Sequence, residues 1–322
     1  MDRSRGRTPD REGAAILEAQ AVSREVTIAA AAYPLDWFED WAGYAAKVSA
    51  WVAGAVGQGA QLLVFPEYAA MELASLGGAE VAADLEASLT HVAGLRADME
   101  ALFARLAARH GVHILAPSGP VIEGAKRVNR ASLFGPGGLI GHQDKAIMTR
   151  FEREIWHVDA GDGMVLFDTA LGKIGVTICY DSEFPLLARA LAEAGAEIIL
   201  VPSCTDTVAG YNRVRIGAMA RALENQCVTV QAPTVGDALW CPAVDENRGA
   251  AAIFAPPDGF WPESGVVAEG TADSPGWVFA AVALDRVAQS RAEGTVLPFR
   301  HWSEQPEVVQ MVKIARENPA RP

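Results

Sequence analysis

Positive charge is scarce in this chain of 322 residues, where 27 Lys and Arg stand against 40 Asp and Glu and leave a formal charge of −13 at pH 7. Nucleic acids and anionic membranes are bound by clustered positive charge, so we expect neither as a partner. No apolar stretch reaches the roughly 20 residues that span a bilayer. Residues 1–24 are polar and lack the apolar core of a secretory signal. The sequence therefore predicts a soluble, cytoplasmic protein.

Cysteine is also scarce, and its spacing argues against two common uses. The four cysteines, at positions 179, 204, 227 and 241, form no Cys-x-x-Cys pair of the kind found in zinc ribbons and dithiol redox sites. We therefore expect free, reduced thiols. Aspartate-rich calcium loops and phosphate-binding Gly-Lys-Ser/Thr loops are absent from the sequence as well. These absences predict an activity that needs no metal ion and no cofactor.

Three reactive side chains lie on separate segments of the chain. Cys179 ends the apolar run 173–179, Glu67 follows the apolar segment 62–66, and Lys145 lies in the polar segment 142–154. A thiol, a carboxylate and an ammonium can together form a nucleophilic active site. Taken singly, such residues are more often a packing cysteine, a solvated loop glutamate and a surface lysine than catalytic groups.

Each of these side chains has a defined part in such chemistry. A free thiol has a pKa of about 8.5 and is mostly protonated at neutral pH. Glu67 would accept the proton as Cys179 attacks, and would return it to the leaving amine. Lys145 and the backbone N–H of Tyr180 would stabilise the oxyanion of a tetrahedral intermediate. The predicted reaction is acyl transfer to sulfur, release of ammonia or an amine, and hydrolysis of the thioester.

The sequences around these residues resemble the nitrilase, or carbon–nitrogen hydrolase, superfamily from about Val26 to about Arg286. Short segments carry the resemblance, in the family's order and spacing: Val64-Phe65-Pro66-Glu67, Asp144-Lys145, Gly175-Val176-Thr177-Ile178-Cys179-Tyr180-Asp181, Phe184-Pro185, Leu200-Val201-Pro202-Ser203 and Met219-Ala220-Arg221-Ala222-Leu223-Glu224-Asn225-Gln226. The resemblance implies that Glu67, Lys145 and Cys179 form a catalytic triad.

The family also has a second glutamate after the lysine. Glu152 lies seven positions after Lys145, and the resemblance implies that it orients the substrate or the lysine. Glu154 is the rival candidate for this part. A salt-bridged loop glutamate is the alternative interpretation, because Arg150 and Arg153 flank Glu152.

Tyr68, Trp156 and Cys204 are candidate substrate-binding residues. The two aromatic residues could supply apolar walls, although core packing explains them equally well. Cys204 follows the predicted strand 197–201 and should line the pocket, and it is also a second candidate nucleophile. Arg213 or Arg215 could anchor a substrate carboxylate.

Strands alternate with helices along the chain, which predicts an α/β fold. The predicted elements include one long helix over residues 85–109, a strand over 173–179 and a loop-rich segment over 256–276. No linker divides the chain, so we expect one domain over residues 25–295, with a polar N-terminal extension (1–24) and a C-terminal tail (296–322). The resemblance implies a four-layer α-β-β-α sandwich that assembles into a homodimer or larger homo-oligomer, with the tail at an interface between subunits.

The residues after the cysteine bear on the substrate. Nitrilases of this family carry Trp-Glu there, whereas Tyr180-Asp181 is typical of the amidase-type members. We therefore predict a hydrolase that cleaves the C–N bond of a small amide or carbamoyl compound through a cysteine thioester. A nitrilase that forms an acid and ammonia is the close alternative. The others are acyl transfer to an amine and a catalytically silent scaffold or binding protein.

Overall fold

Two β-sheets lie face to face in the computed structural model, which describes residues 24–309. The strands are β1 (Glu25–Pro34), β2 (Leu62–Val64), β3 (His113–Leu115), β4 (Gly119–Glu123), β5 (Lys126–Gly135), β6 (Gly138–Asp144), β7 (Leu166–Thr169), β8 (Gly172–Val176), β9 (Ile198–Ser203), β10 (Val228–Asp237), β11 (Glu246–Asn247), β12 (Ala252–Phe254), β13 (Val266–Glu269) and β14 (Gly276–Ala283). The α-helices are α1 (Trp41–Gly57), α2 (Ala79–Ala82), α3 (Leu85–Gly94), α4 (Arg96–His110), α5 (Arg150–Glu154), α6 (Pro185–Glu193), α7 (Val208–Asn225), α8 (Asp285–Glu293), α9 (Pro298–His301) and α10 (Gln305–Val309). Three 3₁₀ segments are also present, Ala69–Gly77, Cys179–Glu183 and Trp302–Glu304.

Three central strands of each sheet point in a common direction. The first sheet has the order β14-β1-β2-β3-β5, with β4 and β6 also paired to β5. The second has the order β7-β8-β9-β10-β12-β13. The two sheets join where the end of β1 pairs in parallel with β10, at Tyr33 and Thr234. Because β1, β2 and β3 are parallel to one another, as are β8, β9 and β10, the carboxyl ends of all six strands lie at the same end of the molecule.

Alternation along β1 shows how the layers pack. Ile28 and Ala30 belong to the apolar core that contains the second sheet, whereas Ala29 and Ala31 pack with α1, α3 and α4 on the outer face of the first sheet. Helices α6 and α7 contribute apolar side chains to the core of the second sheet, and the Thr229 hydroxyl of β10 donates to a backbone carbonyl of α7. The layers are thus helix, sheet, sheet and helix, which confirms the predicted α-β-β-α sandwich.

The predicted helix over residues 85–109 proved to be two helices. Helix α3 ends at Gly94, and Leu95 leaves helical geometry with φ −93° and ψ 0°. Glycine is a weak helix former, which favours a break at this position. The break lets α3 pack on the 3₁₀ segment Ala69–Gly77 while α4 packs on β5.

One predicted strand is shorter in the structure. The strand expected over residues 173–179 ends at Val176, because the Ile178 N–H donates to the Asp181 carboxylate and the chain turns into the 3₁₀ segment Cys179–Glu183. The segment 256–276 is loop-rich, as predicted, and contains the short strand β13.

The predicted domain boundaries fall near the limits of the described residues. Residues 1–23 of the predicted N-terminal extension and residues 310–322 of the predicted tail lie outside them, and the boundaries themselves stay predictions. Within residues 24–309, no helix has both the length and the apolarity to cross a membrane.

Helix α7 packs so closely on the 3₁₀ segment Cys179–Glu183 that a methyl group does not fit between them. A Cβ atom placed at Gly217 would lie 2.9 Å from the Ser182 carbonyl oxygen. We expect Gly217→Ala to lower the free energy of unfolding by about 1–3 kcal/mol, the typical cost of overpacking, in urea titrations. Gly54, exposed within α1, is the matched control, because a Cβ there would have no neighbour within 4 Å. Gly54→Ala should raise the free energy of unfolding by about 0.5–1 kcal/mol, and equal effects of the two changes would contradict the close packing of α7.

Candidate active site

Four predicted site residues follow strands that end at the same end of the sandwich. Glu67 comes after β2, Lys145 after β6, Cys179 after β8 and Cys204 after β9. Strand β6 is antiparallel to β5, and β5 is antiparallel to β3, so β6 points in the same direction as the others. Sites in α/β proteins form at such carboxyl ends. The fold therefore brings residues from both sheets to one place.

The ammonium group of Lys145 lies between two carboxylates. Its Nζ donates to Glu67 Oε1 at 2.7 Å and to Glu152 Oε2 at 2.6 Å. None of the three side chains is more than 3% exposed. A buried charge is tolerated only when it is paired, and removing one of these groups would leave an uncompensated charge in the interior. The three groups therefore form one electrostatic unit.

Glu152 accepts hydrogen bonds from more donors than Glu67 does. Its Oε2 also accepts hydrogen bonds from the backbone N–H of Thr149 at 2.9 Å and from the Thr149 hydroxyl at 2.8 Å. Its Oε1 accepts one from the Tyr68 hydroxyl at 2.8 Å. These bonds, together with Lys145, satisfy the carboxylate in its charged form and fix its position at the start of α5.

Glu67 accepts neutral donors at both oxygens in addition to Lys145. Its Oε1 also accepts a hydrogen bond from Asn129 Nδ2 at 3.0 Å, and its Oε2 accepts one from the backbone N–H of Cys204 at 2.9 Å. The Cys179 thiol lies close enough to this carboxyl group for the Glu67 charge to raise the pKa of the thiol. Glu67 is therefore bonded to the ammonium and lies near the thiol.

The two glutamates differ in proton affinity. Burial raises the pKa of Glu67 to about 7, although Lys145 opposes the shift. Burial acts on Glu152 in the same direction, but Lys145 and the bonds from Thr149 and Tyr68 outweigh it and lower the Glu152 pKa below its ordinary value. For Lys145, burial lowers the pKa, but Glu152 and Glu67 outweigh it and raise the Lys145 pKa well above 10.5. Near neutral pH, Lys145 and Glu152 are charged, and Glu67 can take up or release a proton.

Cys179 is a buried thiol in a strained backbone conformation. Its φ is +50°, in the left-handed region that non-glycine residues rarely occupy. Its Sγ lies 3.8 Å from the Cys204 carbonyl oxygen. Burial, followed by the charge of Glu67, raises the Cys179 pKa well above its usual value. The resting thiol is therefore protonated and needs a base, which the adjacent Glu67 can supply.

Asp181, two residues after the thiol, joins the two loops that carry Lys145 and Cys179. Its buried carboxylate accepts backbone N–H bonds from Ala146 and Ile147 on one loop and from Ile178 on the other, at 2.8–3.2 Å. This bridge holds the loop that carries Lys145 against the turn that carries Cys179. Tyr180, between Cys179 and Asp181, packs its ring edge-on against Phe184, and the part of its N–H as an oxyanion donor stays a prediction.

The candidate substrate-binding aromatic residues are stacked behind Glu152. The ring centroids of Tyr68 and Trp156 are 5.0 Å apart, and the Trp156 indole N–H donates to the Leu85 carbonyl oxygen at 3.1 Å. Trp156 is only 2% exposed. Both residues therefore support Glu152, Tyr68 directly and Trp156 through Tyr68, while their contact with a substrate stays a prediction.

Cys204 contributes its backbone to the site through both its N–H and its carbonyl oxygen. Its own thiol donates to Asn247 Oδ1 at 3.3 Å. Burial raises the Cys204 pKa to about 12. This environment leaves the Cys204 thiol protonated and bound to an amide rather than to a base.

Other charged candidates lie in ion pairs away from this cluster. Glu154, the rival of Glu152, pairs with Arg150 in an exposed i, i+4 contact. Arg213 pairs with Glu183, and Arg215 pairs with Glu269.

Three residues of the site were not identified from the sequence. Asn129 and Asp181 carry no motif that reveals their partners, because those partners are far away along the chain. Thr149 has a signal that was readable: Thr149-Arg150-Phe151-Glu152 fits the capping-box pattern, and the structure has the reciprocal bonds of such a box. That pattern would have placed Glu152 at the start of a helix.

Comparisons with known sequences point to one family. A model of the carbon–nitrogen hydrolase family matches residues 27–292. The chain is 41% identical over 199 residues to the probable hydrolase YhcX of Bacillus subtilis, covering 62% of this chain and 39% of that protein. It is 37% identical over 143 residues to the deaminated glutathione amidase of Yersinia enterocolitica, covering 41% of this chain and 50% of that protein. The chain thus matches half or less of the length of these two relatives.

A comparison with solved structures agrees with the layered fold. The crystal structure of a carbon–nitrogen hydrolase from Helicobacter pylori superposes with a TM-score of 0.68 at 17% sequence identity, covering 88% of this chain and 95% of that chain. At this identity the likeness concerns the fold alone.

The Asp181 bridge predicts a stability defect for a change that preserves shape. In Asp181→Asn, an NH₂ group would face backbone N–H groups that now donate to a carboxylate oxygen. We expect the free energy of unfolding at pH 8 to fall by about 1–3 kcal/mol, the cost of unsatisfied buried donors. Asp84 is the control, because it accepts two backbone N–H bonds as the N-cap of α3. Asp84→Asn should change stability by less than about 0.5 kcal/mol, since Asn caps as well as Asp, and an equally small effect at Asp181 would contradict the bridge.

Proposed function

The chain belongs to the carbon–nitrogen hydrolase family, and from this we propose that it hydrolyses the C–N bond of a small amide or carbamoyl compound through a thioester on Cys179. The observation that carries the proposal is the buried Lys145 between Glu67 and Glu152, with the Cys179 thiol near enough for Glu67 to raise its pKa. The deaminated glutathione amidase among the relatives supports an amide as the substrate. The Tyr180-Asp181 pair, typical of amidase-type members, favours the same class.

The first half of the proposed reaction forms the thioester. The Cys179 proton moves to Glu67 as sulfur attacks the carbonyl carbon, because the thiol is protonated at rest and Glu67 is the adjacent base. Lys145 has three N–H groups, of which two bind the glutamates. The third is available for the oxyanion, together with the Tyr180 backbone N–H. As the intermediate collapses, Glu67 gives its proton to the leaving nitrogen, and ammonia or an amine departs.

The second half regenerates the enzyme. Glu67, again ionised, takes a proton from water as the water oxygen attacks the thioester carbon. The new oxyanion is stabilised by the same donors, and the proton returns from Glu67 to the departing Cys179 sulfur. Glu152 stays ionised throughout and keeps Lys145 charged and in place, so Glu67 alone of the two glutamates carries the proton.

Two further predictions belong to this proposal. A thiol nucleophile must stay reduced, which is consistent with a cytoplasmic location. Assembly into a homodimer or larger homo-oligomer, with residues 296–322 at an interface, stays a prediction.

The proposal predicts which compounds release ammonia and which cysteine is required. Purified protein should release ammonia from short amides, ω-amides or carbamoyl amino acids, and Cys179→Ala should lower kcat by at least about 10³-fold while the protein stays folded. Cys227 is the matched control, because its buried Sγ also lies 3.8 Å from a backbone carbonyl oxygen, that of Arg221. Cys227→Ala should keep kcat within about threefold of the wild-type value.

Other outcomes of the same assay would identify the alternatives. Release of ammonia from nitriles alone would indicate a nitrilase. A stable amide formed with an added amine would indicate acyl transfer, and no turnover of any compound would favour a scaffold protein. Activity of Cys179→Ala within tenfold of wild type would exclude the thioester mechanism.

The pKa of Glu67 predicts the acid side of the pH profile. A base works only when ionised, and burial raises the Glu67 pKa to about 7. We therefore expect kcat/KM to rise with pH up to about 7 and to fall about tenfold per pH unit below it. Glu67→Gln should remove this limb and most of the activity. Glu72 is the control: burial raises its pKa to about 7 as well, but it binds Tyr33 and Lys47. Glu72→Gln should leave the limb in place, and a limb that follows Glu72 instead would refute the assignment.

A further inference from the structure

We propose that Asn129 is a positioning residue that holds Glu67 in the orientation and ionisation state needed to accept the thiol proton. The inference rests on the proposed function, because it assigns Glu67 as the base. It concerns a residue of β5 that touches two members of the catalytic cluster without contacting the thiol.

Asn129 bonds to Glu67 and Lys145 by two different groups. Its side-chain Nδ2 donates to Glu67 Oε1 at 3.0 Å, and its backbone carbonyl oxygen accepts the backbone N–H of Lys145 at 2.9 Å. Asn129 itself is completely buried. One residue therefore bonds to the lysine backbone, just after the neighbouring strand β6, and to the glutamate side chain, after β2.

The orientation of the Asn129 amide follows from its surroundings. Its Oδ1 is buried and has no hydrogen-bond partner among the described residues. Turning the amide over would place that oxygen against the Glu67 carboxylate, so the NH₂ group must face Glu67. A buried acceptor without a partner destabilises a protein. An apolar side chain would fill the same space without burying an unpartnered oxygen. The bond to Glu67, rather than packing, therefore explains why an amide occupies this position.

A neutral donor suits this position for an electrostatic reason. The charged and titratable groups around Glu67 are Lys145, Glu152 and Cys179, with the Cys204 thiol and the Tyr68 hydroxyl nearby. A second cation at Asn129 would hold Glu67 permanently ionised and make it a weaker base, whereas a carboxylate would repel it. An amide stabilises the ionised form modestly and leaves the proton free to move.

The test is to remove the amide and follow the pH profile. In Asn129→Leu, Glu67 loses a donor to its charged form, so its proton affinity should increase. We expect the acid limb of kcat/KM to move up by about one pH unit, and kcat at the optimum to fall about tenfold or more with KM changed less than about threefold. Stability should be kept, because the substitution also removes the unpartnered Oδ1.

Asn225 provides a matched control for the loss of a buried amide. It is completely buried in α7, its Nδ2 donates to the Arg221 carbonyl oxygen, and its Oδ1 also lacks a partner among the described residues. Asn225→Leu should leave the acid limb and kcat unchanged. A limb that moves equally in both variants would show a general loss of structure and would overturn the proposal.

Asn129→Asp gives a second test, in which the pH dependence of the activity should run in the opposite direction. The new carboxyl would share a proton with Glu67, and in its protonated form it can still donate to Glu67. As the pH rises and this proton is lost, two carboxylates face each other. We therefore expect activity to fall with rising pH over the range in which the wild-type activity rises.

The outcomes separate this inference from the proposed function. If Cys179→Ala is inactive but Asn129→Leu keeps the wild-type limb and kcat, the function stands and the positioning role is wrong. If Cys179→Ala is active, the proposed function fails before Asn129 is considered. An Asn129→Leu protein that does not fold leaves Asn129→Asp, nearly identical in shape, to decide, and a wild-type profile for that variant would also overturn the proposal.

Discussion

A single buried ammonium determines the arrangement of this site. Lys145 is almost fully shielded from water and contacts two carboxylates at hydrogen-bond distance. Removing such a charge from water is costly, and only well-placed partners offset the cost. The donors to Glu152, the amide at Glu67 and the Asp181 bridge can all be understood as ways of keeping those partners in place. Because Glu152 accepts more hydrogen bonds than Glu67, Glu152 stays ionised, whereas Glu67 can exchange a proton.

The sandwich supplies what this arrangement requires. Glu67 and Lys145 follow strands of the first sheet, and Cys179 and Cys204 follow strands of the second. The parallel pairing of β1 with β10 aligns the two sheets so that these strands end together. Cys179, the proposed nucleophile, then departs from regular geometry: it adopts a left-handed conformation, and the bonds around Asp181 maintain the turn in which it lies. Regular strands bring the segments close, and an irregular turn gives the thiol its final position.

The sequence allowed the fold class to be predicted, and the specific short segments around Glu67, Lys145 and Cys179 singled out three side chains that the structure brings to one place. It predicted less where contacts join distant segments. In the sequence Asn129 looks like any polar residue in a strand, because the residue it binds, Glu67, is 62 positions away. Asp181 accepts N–H groups from residues 34 and 35 positions earlier. The break between α3 and α4 likewise depends on what each helix packs against, which local propensity does not encode.

The Asp181 bridge also bears on how this molecule can be divided. It connects a loop of the first sheet to a turn of the second, so the site is itself one of the ties between the two halves of the sandwich. Neither sheet holds the whole cluster: Glu67 and Lys145 follow strands of one sheet, and Cys179 follows a strand of the other. A fragment containing only the second sheet would leave the Asp181 carboxylate without the N–H groups of Ala146 and Ile147, and would leave an apolar sheet face uncovered. The contacts that assemble the proposed site therefore also hold the two halves of the sandwich together.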